Sequence, residues 1–174
     1  MPRYHTPKEY LDAARSPETS SEELRDLATS PYDFVATAVA QHPNTESDVL
    51  AALVPATIKS RNDQKLAVAI VQHPRTPIDV LETLAERLAP VLDNGRDNQM
   101  GFKAGLALCC NPKTPFQRIA TLLHSERVAT QFRKVVARET PQRDVLELLL
   151  NDRSETVRKH AQKRIDALDA GEKS

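Results

Sequence analysis

Two histidines, two cysteines and a run of aspartates are the residues of this 174-residue chain whose chemistry could reach beyond packing. His42 and His73 stand in matching phrases, "VAQHPNT" at 39–45 and "VQHPRTP" at 71–77. Asn111 fills the same slot in "CCNPKTP" at 109–115, with Cys110 one place earlier. Imidazoles and a thiolate in register would suit a transition metal. Equivalent residues of stacked helices, however, sit about 8–10 Å apart, whereas ligands converge on zinc at about 2.0–2.3 Å. The phrase histidines are therefore expected to bond turn backbone, and no metal or cofactor is expected.

Cys109 and Cys110 are adjacent. Neighbours cannot close an ordinary disulfide, which points to a reducing compartment. A free cysteine at the end of an apolar run packs as a small hydrophobe, and no His, Asp or Asn stands at a spacing that announces a nucleophile and its base. Asp93 and Asp97 flank Gly95 in a manner reminiscent of calcium loops, but the order does not match an EF-hand and no closing glutamate follows. The chain is read as having no enzymatic activity.

Two charged regions remain as candidate binding sites. The stretch "LAPVLDNGRDNQMGFKAG" at 88–105 holds three of the four glycines and the polar run Asp93, Asn94, Arg96, Asp97, Asn98 and Gln99. A long insertion of this kind is expected to be either a loop that contacts a partner or a plain mobile loop. Charge is also uneven. Residues 1–99 carry 10 Lys+Arg against 15 Asp+Glu, and residues 100–174 carry 14 against 9, so a net charge of zero divides into −5 and +5. A basic second half admits nucleic-acid binding through Arg133, Lys134, Arg138, Arg158 and Lys159. Interleaved acids and the scarcity of aromatic stacking partners count against it. The same asymmetry admits self-association between acidic and basic halves.

These residues must be positioned by repeated elements. With a threonine as position zero, the anchors are Thr19, Thr45, Thr76, Thr114 and Thr140; Pro17, Pro43, Pro74 and Pro112 lie two residues earlier, with Arg138 in the fifth copy. Leu24, Leu50, Leu81, Ile119 and Val145 lie five residues later, and Leu27, Leu53, Leu84, Leu122 and Leu148 eight later. Each threonine reads as an N-cap, with Pro77, Pro115 and Pro141 at the first helical position. Glu22, Asp48, Asp79 and Gln117 stand where a capping box places its partner. The apolar residues at +5 and +8 share one helix face. Upstream runs such as "FVATAVA" (34–40) and "LAVAIV" (66–71) supply a second short helix per unit, which stops at the proline.

Two short helices per unit cannot bury their apolar faces alone. The expected fold is therefore an all-α solenoid of about five repeats in a single domain. Residues 1–16 would be a half-repeat cap and residues 154–174 a capping helix and tail. Twelve prolines, four glycines and no Trp agree with helix packed on helix. No apolar stretch has the length or placement of a signal peptide or a membrane span, so a soluble cytoplasmic protein is expected.

"VAQHPNTESDVLAAL", "IVQHPRTPIDVLETLA" and "LCCNPKTPFQRIATLL" resemble the leucine-rich repeat variant family, whose unit centres on V-A-x-N-P-x-T-P-x-x-x-L-x-x-L-A. The resemblance covers roughly residues 13–165. It implies a right-handed superhelix of alternating α and 3-10 elements, related to HEAT-type scaffolds that mostly bind partners and sometimes bind DNA. A relative with an N-terminal iron–sulfur cluster has no counterpart here, since both cysteines lie past residue 100. A HEAT-like DNA glycosylase would need an aromatic-lined cleft that a chain without Trp supplies poorly. The expected function is protein–protein interaction by a repeat scaffold, with nucleic-acid binding as the alternative.

Overall fold

The computed structural model describes residues 4–92 and 99–171, and every regular element among them is helical. In chain order these are α1 (Pro7–Arg15), α2 (Ser21–Leu27), α3 (Asp33–Gln41), α4 (Ser47–Ala52), α5 (Arg61–Gln72) and α6 (Ile78–Leu88). A 3-10 turn (Ala89–Val91) follows, and then α7 (Gln99–Cys110), α8 (Phe116–His124), α9 (Thr130–Glu139), α10 (Arg143–Leu149) and α11 (Glu155–Gly171). The chain is all-α, as its composition implies.

Contacts divide it into two compact units, residues 1–80 and 81–174. In the first unit α1 packs on α3 and α3 on α5, with α2 set against α1 and α3. In the second, α7, α9 and α11 pack in sequence, while α10 lies against α8, α9 and α11. Leu24, Leu50, Leu81, Ile119 and Val145, all five residues after a phrase threonine, are buried. So are Leu27, Leu53, Leu84 and Leu122 at the eighth position. Leu148 departs from the series: Leu146 and Leu149 are buried in its place, because α10 starts three residues after Thr140 whereas the other second helices start two residues after theirs. The one-residue delay rotates the apolar stripe by one position.

The turns differ from expectation in one respect. The threonines of the first three phrases do not cap the helix that follows them. Their hydroxyls point backward, Thr19 Oγ1 donating to the Ala13 carbonyl at 2.6 Å, Thr45 Oγ1 to Val39 at 2.5 Å and Thr76 Oγ1 to Ile70. The last turn of a helix leaves carbonyls without intrahelical donors, and the threonine supplies one. The following helix is entered one residue later, through Ser20, Glu46, Pro115 or, after Thr140, Gln142. The expected capping boxes therefore do not form on these threonines. Thr6 does act as the forward cap of α1, accepting from Glu9 N at 3.2 Å with Pro7 at the first position.

Polar stretches outside the aligned phrases also form helix. Residues 61–65 form the first turn of α5, which Ser60 and Asp63 open with a full capping box. Residues 99–105 belong to α7. Extra sequence here lengthens helices as well as loops. Among the described residues no φ is positive, so the proline phrases turn the chain within ordinary backbone space and need no glycine.

Candidate functional site

The histidines do structural work. In both phrases the ring Nδ1 accepts a backbone N–H two residues on, from Asn44 to His42 at 3.2 Å and from Arg75 to His73 at 3.1 Å. That fixes the hydrogen on Nε2, which reaches one turn back: His42 Nε2 donates to the Ser16 carbonyl at 2.9 Å and His73 Nε2 to the His42 carbonyl at 3.0 Å. Each accepting carbonyl also receives the amide of its own threonine, Thr19 to Ser16 and Thr45 to His42. A buried imidazole with both nitrogens engaged holds adjacent turns together. In the second unit Gln142 takes over the task, its Nε2 donating to the carbonyls of Asn111 and Cys109 at 3.0 Å each. Sequence reasoning had no reason to single out Gln142, since it lies outside the aligned phrase positions.

Cys109 is buried, and burial first, then its neighbour Cys110, pushes its thiol well above the usual cysteine range. Cys110 is half-buried; burial raises its pKa most, the nearby Thr140 hydroxyl opposes this, Glu139 adds to it and Arg164 opposes it. Both effects disfavour a reactive thiolate at neutral pH. Among the described residues no group of three or more His, Cys, Asp or Glu is arranged to hold a metal ion. No described helix is long and apolar enough to cross a membrane.

The five cations expected to face a nucleic acid are not brought together. Arg133 is 1% exposed and sits inside the second unit, bonded to both carboxylate oxygens of Asp152 at 2.7 and 3.4 Å, and also to the Val128 carbonyl and Thr130. Removal from water with this many partners makes it part of the core. Arg158 donates to the Asp152 carbonyl at 2.7 Å, and Lys159 pairs with Glu155 one helical turn earlier. Lys134 and Arg138 remain nearer solvent, Arg138 making only a 3.4 Å contact to the adjacent Glu139. Of the loop candidates, Asp93, Asn94, Arg96, Asp97 and Asn98 lie outside the described residues, and Gln99 begins α7.

A different cationic site emerges where α9 ends against α11. Arg138, Glu139, His160, Lys163, Arg164 and Ala167 line a solvent-open basin of about 300 Å³. α11 presents His160, Lys163, Arg164 and Ala167 at spacings of three and four residues, one face of the helix. The neighbouring face of the same helix buries Val157, Ala161 and Ile165. Arg164 is held by its Nε, which donates to the Thr140 carbonyl at 3.3 Å just beyond α9. In the first unit Asn44 Nδ2 makes the matching bond to the Thr19 carbonyl at 3.3 Å. Arg164 thus bonds the Thr140 carbonyl as Asn44 bonds that of Thr19, and it also lines the basin. Sequence reading noted the excess of cations in the second half of the chain but could not place Lys163 and Arg164 beside Arg138.

No family model, no curated protein and no solved structure matches the chain.

Proposed function

We propose that this chain is a non-enzymatic repeat scaffold that binds another protein, built as a solenoid of about five leucine-rich-repeat-variant-like units. The observation that carries this reading is where the reactive residue types go. The imidazoles of His42 and His73 hold turn to turn, the Cys109 thiol is buried and hard to ionise, and Arg133 is paired inside the second unit. What faces solvent is a set of charged side chains on short helices, which is the equipment of a binding surface. The aligned phrases and the recurring backward threonine bond support a common unit.

Nucleic-acid binding is the second reading and draws on the basic second half. Three of its five expected contacts have partners within the fold, which weakens a phosphate track through that set. Capture on the immobilised full chain separates the two. Retained material should survive nuclease and be lost to protease, and a partner purified from it should bind saturably in solution. Material that survives protease and vanishes with nuclease, or no retention above a blank matrix, would overturn the scaffold reading.

A further inference from the structure

The basin between the end of α9 and α11 has an unusual charge inventory. Three permanent cations, Arg138, Lys163 and Arg164, line it against one carboxylate, Glu139. Lys163 has no ion pair among the described residues. Arg138 contacts only its neighbour Glu139, at 3.4 Å, and both side chains are about half exposed. Arg164 spends its Nε on the Thr140 carbonyl, which orients the guanidinium and leaves its two terminal nitrogens as a fork. Packing cations this close in an open basin without matching acids costs electrostatic energy that a bound anion would recover. Several other cations of this unit do have carboxylate partners: Arg118 has Glu82 and Glu86, Arg143 has Glu147 and Asp169, and Lys159 has Glu155. The contrast marks the basin as a site awaiting a negative group.

We propose that this basin binds an oxyanion, carboxylate or phosphate, carried on an acidic polypeptide segment of the protein's partner. The segment's oxyanion sits between the guanidiniums of Arg138 and Arg164 and the ammonium of Lys163, and displaces Glu139 from Arg138. A polypeptide is favoured over nucleic acid because no aromatic side chain lines the basin to stack a base, and one carboxylate, Glu139, already sits among its cations. Next along α11, Arg158 donates to the Asp152 carbonyl and Lys159 pairs with Glu155, so a phosphate backbone would have to compete for both. A basin of about 300 Å³ is at the small end for a dedicated small-molecule site, and this one is open on the solvent side. It suits one side chain or one phosphoryl group presented by a longer chain.

This inference rests on the scaffold reading, and the two fail differently. Fluorescence anisotropy on the full chain would use four probes: a Glu/Ser peptide, the same peptide carrying phosphoserine, a Lys/Ser peptide and a single-stranded oligonucleotide of matched charge. The acidic peptides should bind at low salt and the Lys/Ser peptide should not, with the phosphoserine peptide tighter if phosphate is the natural group. Arg138→Gln with Lys163→Gln should weaken binding by about tenfold or more. Glu139→Gln should tighten it by about two- to threefold, because it removes the competing carboxylate. All three side chains are exposed, and circular dichroism checks that the fold is kept.

No binding of either acidic peptide, or equal binding by the double variant, would each overturn the basin. Tighter, basin-dependent binding of the oligonucleotide would assign the site to nucleic acid instead. A double variant that still retains the partner captured by the full chain would remove the basin and leave the scaffold standing.

Discussion

Thr45 and Thr114 hold the same place in their phrases and sit in different chemistry. The Thr45 hydroxyl donates to the Val39 carbonyl at 2.5 Å. The Thr114 hydroxyl is buried and has no hydrogen-bond partner among the described residues. Valine keeps the shape of threonine and deletes the hydroxyl. Thr45→Val should cost about 1 kcal/mol, the net worth of one buried hydrogen bond. Thr114→Val should be neutral or stabilising by up to about 1 kcal/mol, because it removes a desolvated group that nothing repays. Urea denaturation of the two variants reads the difference, and equal losses would show that the Thr114 hydroxyl is satisfied. The threonine register itself was legible in the sequence; the direction of its bond was not. A threonine between two helices can serve the start of one or the end of the other, and both roles use the same extended backbone. The phrase histidines illustrate the opposite case. The expectation that they bond turn backbone was correct, and the structure adds which carbonyl each one reaches.

At the level of elements, periodicity placed most helices, and the exceptions have identifiable causes. In the polar stretch 60–65, Ser60 followed three residues later by Asp63 is a capping signal in plain view, and it opens α5. The three glycines between 88 and 105 argued for a loop, but Gly105 lies inside α7 for a packing reason. A Cβ added there would come within 2.8 and 2.9 Å of the Phe132 ring and 3.2 Å of Leu92. Phe132 belongs to α9, is buried, and has its ring centroid 5.4 Å from that of Phe102 on α7, so it has little freedom to swing away. Alanine would gain about 1 kcal/mol of helix propensity over glycine. Overpacking of a filled core costs about 1–3 kcal/mol. Gly105→Ala is therefore expected to lower the thermal midpoint modestly, and a raised midpoint in calorimetry would mean that α7 and α9 have slack between them. The close approach that requires this glycine is a tertiary fact, which is why the residue read as a loop signal.

For the molecule as a whole, the −5 and +5 halves were legible by counting, but which cations are free was not. That depended on pairings such as Arg133 with Asp152 and on the docking of α11 against α9, neither of which any spacing announces. A chain of zero net charge with a pI near 7.0 has little long-range repulsion between copies at neutral pH. Its acidic half is also the kind of polypeptide surface that a cationic basin would attract. Weak association is therefore expected at low salt, with the average mass in sedimentation equilibrium rising above 19.4 kDa as concentration increases. Salt near 1 M shortens the screening length to about 3 Å and should return the chain to its monomer mass. Arg138→Gln with Lys163→Gln should reduce the low-salt association if the basin is its main cationic partner. Exposed Phe34 and Ile78 offer the competing route, an apolar contact. Because apolar association strengthens or persists as salt rises, association that survives near 1 M salt would assign self-contact to those side chains and release the charge asymmetry from that role.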